Sequence, residues 1–324
     1  MGTCSFHAVL DPISRSGIRI SRRSVATLQT MKPWMATLLL IGVTAVWGWT
    51  FVVVGSAVAV YGVMGFLAIR FLIAGVATAA VWGRHMTLRT LKVGATIGLI
   101  LAVGYLLQTW GLKYTTATNA GLITGLFVVL APIIDRIIYK TKLHPSAWAA
   151  VALSVVGMTL LTGRLPTQLA LGDVLVFGCA FAFGTHIAVL SHHSSRHDPG
   201  ALATAQMIGL AVIFVFLWPL TEEIVAPPRE VWFALALTGL VASALAYAIQ
   251  TSAQQVLSTV KTAVVLTLEP VFAGLFGFLL AGERLTPLKF VGAALIFGAV
   301  LMSEVTPLIT RRLGGPKEDT TQSR

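Results

Sequence analysis

Ten apolar stretches follow one another along this chain with little between them: residues 34 to 58, 62 to 83, 93 to 112, 117 to 138, 145 to 163, 171 to 190, 200 to 220, 231 to 253, 260 to 281 and 287 to 305. Each is close to the roughly 20 residues that an α-helix needs to cross a hydrocarbon core of about 30 Å. None alternates apolar and polar residues with the period that a barrel strand requires. The predicted fold is therefore an all-α integral membrane bundle of ten transmembrane helices. With 56% hydrophobic and 11% charged residues and a mean hydropathy of +0.85, the chain has no stretch left for a sizeable soluble domain.

The net charge of +11 does not point to nucleic acid, because the basic residues lie in short loops and tails between apolar runs rather than on one surface. Lysine and arginine gather on the side shared with the amino terminus (Lys32, Arg84, Arg89, Lys92, Arg136, Lys140, Lys142, Arg196, Lys261, Arg311, Arg312). Against them stand Lys113, Arg164, Arg229, Arg284 and Lys289. The positive-inside bias predicts a multi-pass protein with both termini in the cytoplasm. Residues 1 to 32 form a basic tail, with Arg15, Arg19, Arg22 and Arg23 at helical spacing. It reads as a surface helix on anionic lipid, as a targeting peptide, or as residues upstream of a start at Met31. Residues 306 to 324 form a polar cytoplasmic tail. Cys4 and Cys179 make neither a disulfide framework nor a four-cysteine zinc site. A metal at His192, His193 and His197 lacks accompanying ligands beyond Asp198, so no metal and no cofactor is expected.

A repeat runs through the order of segments. Tyr105 and Gln108, in YLLQ, are echoed by Tyr247 and Gln250 in YAIQ, and each pair precedes a Thr/Ser-rich turn and a helix holding a proline, Pro132 or Pro270. The helices at 144 to 157 and 285 to 298 also align. The halves are residues 33 to 163 and 171 to 305. Five spans per half is an odd number, so the two must be inverted relative to one another, the architecture of secondary transporters with a site near the midplane.

Glu269 lies near the middle of an apolar run, where a carboxylate costs several kcal/mol unless neutral, paired or facing a wet cavity. It can bind a substrate ammonium group, exchange a proton as the coupling step, or serve as a structural bond to a neighbouring helix end. Pro270 beside it frees the carbonyl of Leu266, and Glu269, Pro270 and Pro132 are the expected coupling and gating residues. Tyr247, Gln250 and Gln254 form a polar stripe on the eighth span and Tyr105 with Gln108 a shorter one on the third. Such stripes face a cavity or act as interhelical glue. Trp47 and Thr50 share a face of the first span, and His186 is a polar group in the sixth; these, with Asn119 in the fourth, complete the predicted lining. Arg70 in the second span is expected to be a structural anchor.

At these residues the chain resembles the drug/metabolite transporter superfamily, in its ten-helix type built from two EamA domains. The resemblance rests on VWGWTF (46 to 51), AIRFLIAG (68 to 75), TTATNAGLITGLFVVLAP (115 to 132) and LEPVFAGLFGFLLAGERLT (268 to 286). It implies a transporter, often an exporter, of amino acids or related small metabolites in a bacterial inner membrane. Its partners would be the lipid bilayer, a small-molecule substrate and protons, with the protein a monomer or weak homo-oligomer. Asp135 and Arg136 at the end of the fourth span depart from the family pattern. The chain has no GxxxxGK[ST], which excludes ATP-driven pumping by this chain alone. An enzyme is not expected. An intramembrane lipid-modifying enzyme would need clustered acids or a nucleophile with a base, and a scaffold or sensor would carry no flux.

Overall fold

The computed structural model describes residues 31–115, 117–141, 145–162, 171–281 and 286–312. The basic tail 1–30 and the last residues, from 313 on, lie outside them. The first half contains α1 (Pro33–Val60), α2 (Val63–Trp82), α3 (Leu88–Gly111), α4a (Ala117–Thr124), α4b (Phe127–Tyr139) and α5 (Pro145–Thr162). The second contains α6 (Leu171–His193), α7 (Pro199–Thr221), α8 (Val231–Ala253), α9a (Thr259–Leu266), α9b (Leu268–Ala281) and α10 (Pro287–Arg312). Seven of these spans are long and apolar enough to cross a bilayer by length and composition; α4, α5 and α10 complete the ten. Side chains such as Leu72, Val76, Val212 and Phe216 stand exposed on the outside of the bundle. Only lipid makes such a surface inexpensive, and the helices satisfy their own backbone groups within each span.

The packing has the symmetry of a two-fold exchange. Helix α2 packs on α7 and α5 on α10, each against its counterpart. In the same way α1 lies on α9b as α6 lies on α4b, α3 on α6 as α8 on α1, and α3 on α7 as α8 on α2. Exchanging the two halves maps this set of contacts onto itself. The protein is thus two inverted five-helix repeats.

Helix starts are fixed by side chains at the face where α1 begins, here the proximal face. Thr87 Oγ1 accepts from Thr90 N at 3.1 Å before α3, Asp198 Oδ1 from Ala201 N at 2.8 Å before α7, and Ser258 Oγ from Lys261 N at 3.3 Å before α9a. At the distal face the start of α2 is capped from the other half: Glu222 Oε2, after α7, accepts from Met64 N at 3.1 Å and Gly65 N at 3.3 Å.

Three spans differ from the continuous helices expected. The fourth breaks at Gly125–Leu126 and the ninth at Thr267, where bonds tighten to three-residue spacing, as in Val128 N to Gly125 O and Thr267 N to Val264 O, both 3.1 Å. The second break puts Pro270 in the first turn of α9b, where a missing N–H costs nothing. Pro132 stays inside α4b, well past its break. In the eighth span, Leu237–Leu245 is π-helical, a widened turn that no residue of LTGLVASAL announces.

Candidate functional site

A cavity opens between the halves, with about 610 Å³ free of protein atoms, part of it solvent. All the spans but α5, α7 and α10 contribute: Trp47, Thr50, Phe51 and Val54 from α1, Arg70 from α2, Leu101, Tyr105, Gln108 and Thr109 from α3, and Phe127 from α4b. Leu112, just after α3, belongs to the same side, and across from them stand Phe183, His186 and Ile187 of α6, Tyr247 and Gln250 of α8, and Leu266 and Glu269 of α9. The expected lining residues Trp47, Thr50, Tyr105, Gln108, His186, Tyr247 and Gln250 are therefore brought together. The side chain of Asn119 lies outside the described residues.

The repeated tyrosines meet. Tyr105 and Tyr247, 142 positions apart, join their hydroxyls at 2.8 Å across the junction of the halves. Arg70 supports the pair: its Nη2 donates to Tyr105 Oη at 3.3 Å, its Nε donates to Ser243 Oγ at 2.9 Å, and its guanidinium lies 4.6 Å from the Tyr105 ring centroid. Arg70 is thus anchored by side chains and an aromatic face, and it also lines the cavity, which an anchor alone would not require. Ser243 lies in the π segment, as does Ala242, whose carbonyl accepts from Trp47 Nε1 at 2.8 Å. The widened turn therefore holds two of the residues that orient the lining, in keeping with the placing of such turns at functional sites.

His186 donates its Nε2 proton to Gln206 Oε1 at 2.8 Å, since Gln206 spends its amide hydrogens on Leu202 O and Thr251 Oγ1. In a neutral imidazole that leaves Nδ1 as an acceptor. Gln206 and Thr251 were missed in the sequence, although the depth argument that singles out Gln108 applies equally to Gln206 in the run 200 to 220. Gln108 donates to Thr124 Oγ1 at 3.3 Å.

Two polar groups at the cavity are unspent. Gln250 is 2% exposed; its Nε2 donates to Gln254 Oε1 at 3.1 Å while its own Oε1 has no partner. Glu269, 7% exposed in the first turn of α9b, makes no hydrogen bond or ion pair to any described residue. A buried polar atom without a partner, as Gln250 Oε1 is, costs about 1–3 kcal/mol, and a bound solute or water is what would satisfy it.

Gln254 is a correction. It does not line the cavity: its Nε2 donates to Ile187 O at 2.8 Å and Ser191 Oγ at 2.7 Å, and its backbone carbonyl accepts from Ser194 Oγ at 3.0 Å. One turn further along the stripe, the helix has already met α6. Gln254→Ala is therefore expected to destabilise the fold by about 1–3 kcal/mol through the stranded partners, read as a lower unfolding midpoint in detergent. His192, His193 and His197 diverge too: His192 bonds Asp135, His193 the Val189 carbonyl, and His197 the Thr90 hydroxyl.

A helical membrane bundle of two inverted repeats around a polar-tipped aromatic cavity defines a membrane transport protein by class. The family model of the EamA-like transporter family matches residues 34–163 and again 170–304, and the chain belongs to that family. It is 35% identical over 260 residues to an uncharacterized transporter of Archaeoglobus fulgidus, covering 80% of this chain and 82% of the relative. It is 26% identical to the uncharacterized transporter YwfM of Bacillus subtilis, covering 60% and 69%. A crystal structure superposes with a TM-score of 0.70 at 20% identity over 86% of this chain and 99% of that one, a likeness of fold.

Proposed function

We propose that the protein is a secondary transporter that exports small organic metabolites, such as amino acids or their analogues, across a plasma membrane. Its two repeats rock about the cavity so that it opens to one side at a time, and protonation of Glu269 couples flux to the proton gradient. The proximal face, with both termini, is cytoplasmic; the lysine and arginine bias supports that orientation. The observation that carries the reading is Gln250 Oε1, buried without a partner, in one cavity with the Glu269 carboxyl and among aromatic rings at the junction of the halves. An ammonium or amide group donates to such acceptors, and ring faces take the apolar remainder of a solute.

The test is counterflow. Purified protein in proteoliposomes preloaded with an unlabelled amino-acid mixture is expected to accumulate a radiolabelled member saturably, about 10-fold above empty liposomes. No accumulation of any solute, including those enriched in the medium of overexpressing cells, overturns the reading.

A further inference from the structure

Below the cavity, towards the proximal face, the ends of three spans from both halves converge on one carboxylate. Asp135, near the end of α4b and 3% exposed, accepts from His192 Nε2 at 2.7 Å and from Thr259 Oγ1 at 3.2 Å through Oδ1. Its Oδ2 accepts from Thr141 Oγ1 at 2.7 Å. His192 lies in the last turn of α6 and Thr259 begins α9a. The Tyr139 ring lies against the His192 imidazole, centroids 3.7 Å apart and planes 18° from parallel. Between this cluster and the cavity floor at Ile187 and Gln250 lies the layer made by Gln254 and Ser191. A solute moving between the cavity and the proximal face by parting α6 from α4b and α9a has to break these bonds.

We propose that Asp135, His192 and Thr259 form a latch that holds the proximal mouth of the cavity shut. The name cytoplasmic for that mouth rests on the orientation given above. In the closed form His192 Nε2 donates to a carboxylate, and a hydrogen bond to a charged acceptor is about twice as strong as a neutral one. The Tyr139 ring stacks on the imidazole and holds it against that carboxylate. Opening takes the imidazole away from both, so the latch biases the mouth towards the closed form.

Basic residues flank the cluster: Arg136 beside Asp135 on α4b, Lys140 just after that helix, Arg196 after α6 and Lys261 in the first turn of α9a; Lys142 and His144 lie outside the described residues. The basic character of this rim is felt at His197, whose imidazole is pushed down by burial first and then by Arg89, His193 and Arg196. Asp135 is the buried carboxylate among these cations.

The experiment measures the mouth directly and needs no solute. In the full chain with Cys4→Ser and Cys179→Ala, spin labels at Ile137→Cys and Ser195→Cys, both exposed positions, report the distance between α4b and the loop after α6 in lipid nanodiscs. The closed, short-distance population is expected to dominate in the parent. Asp135→Asn and His192→Asn are each expected to lower the closed-to-open ratio about 10-fold, the loss of a hydrogen bond to a charged group, His193→Asn to leave it unchanged, and Thr259→Val, a milder change, to lower it less. A ratio in Asp135→Asn and His192→Asn equal to that of the parent overturns the latch. Failure here in a protein that still shows counterflow leaves the transport reading standing, while loss of counterflow with the expected shifts removes transport and not the latch.

Discussion

Glu269→Gln is expected to abolish the response of transport to a proton gradient while leaving the protein folded and inserted. The amide has the size of the carboxyl, and no described residue depends on that carboxyl for a hydrogen bond, so the unfolding midpoint should move by the equivalent of about 1 kcal/mol or less. What is lost is charge. In proteoliposomes the variant should show the same flux with and without an imposed pH gradient. An ammonium-bearing solute should bind about 10- to 100-fold more weakly, in line with the ~1.5–3 kcal/mol of a hydrogen bond to a charged group. Gradient dependence equal to that of the parent removes Glu269 from coupling. A destabilisation of several kcal/mol would instead assign the residue a structural bond.

The features that were legible in the sequence are those whose cost is paid by single residues. A carboxylate or an amide in an oil-length run has to face something polar, so Glu269, Gln108 and Gln250 could be placed at a cavity before any coordinates. The doubled Tyr-x-x-Gln pattern located the junction of the halves well enough that its two tyrosines are hydrogen-bonded to one another. Gln254 failed the same argument because a stripe on one helix passes from a cavity to a neighbouring helix within a turn, and only the neighbour's position says where. The prolines gave no warning of the breaks, which fall ahead of them at Gly125–Leu126 and Thr267: Pro270 sits in the first turn of the new helix, where its missing N–H costs nothing, and Pro132 well inside α4b.

The rest depended on pairs far apart in the chain. Asp135 stood out as a departure from the family pattern and His192 as one of three loop histidines, yet nothing in either neighbourhood said that they are 2.7 Å apart. Ser243 looked like an ordinary small residue until the π segment turned it towards Arg70. Such partners are set by which helices touch, and the apolar faces that decide this carry little periodicity when the helix is apolar all round.

Helix contacts also decide which glycine matters. The sequence draws the eye to Gly121 and Gly125, a GxxxG pair, but a Cβ added at Gly121 would meet Ala273 Cβ and Phe51 at 3.7 Å, ordinary contact. At Gly48, inside α1, it would stand 2.7 Å from Ala273 N and 2.9 Å from Glu269 O, backbone atoms of α9b that no rotamer change can move, and 2.6 Å from Phe272 Cβ. Gly48→Ala must therefore push α1 and α9b apart. Overpacking of this kind costs about 1–3 kcal/mol, and here the displaced helix carries Glu269. The variant is expected to unfold at lower temperature in detergent and, where it does fold, to lose most counterflow, whereas Gly121→Ala should match the parent in both. If Gly48→Ala transports and unfolds like the parent, α1 and α9b do not approach as closely in the working protein as they do here.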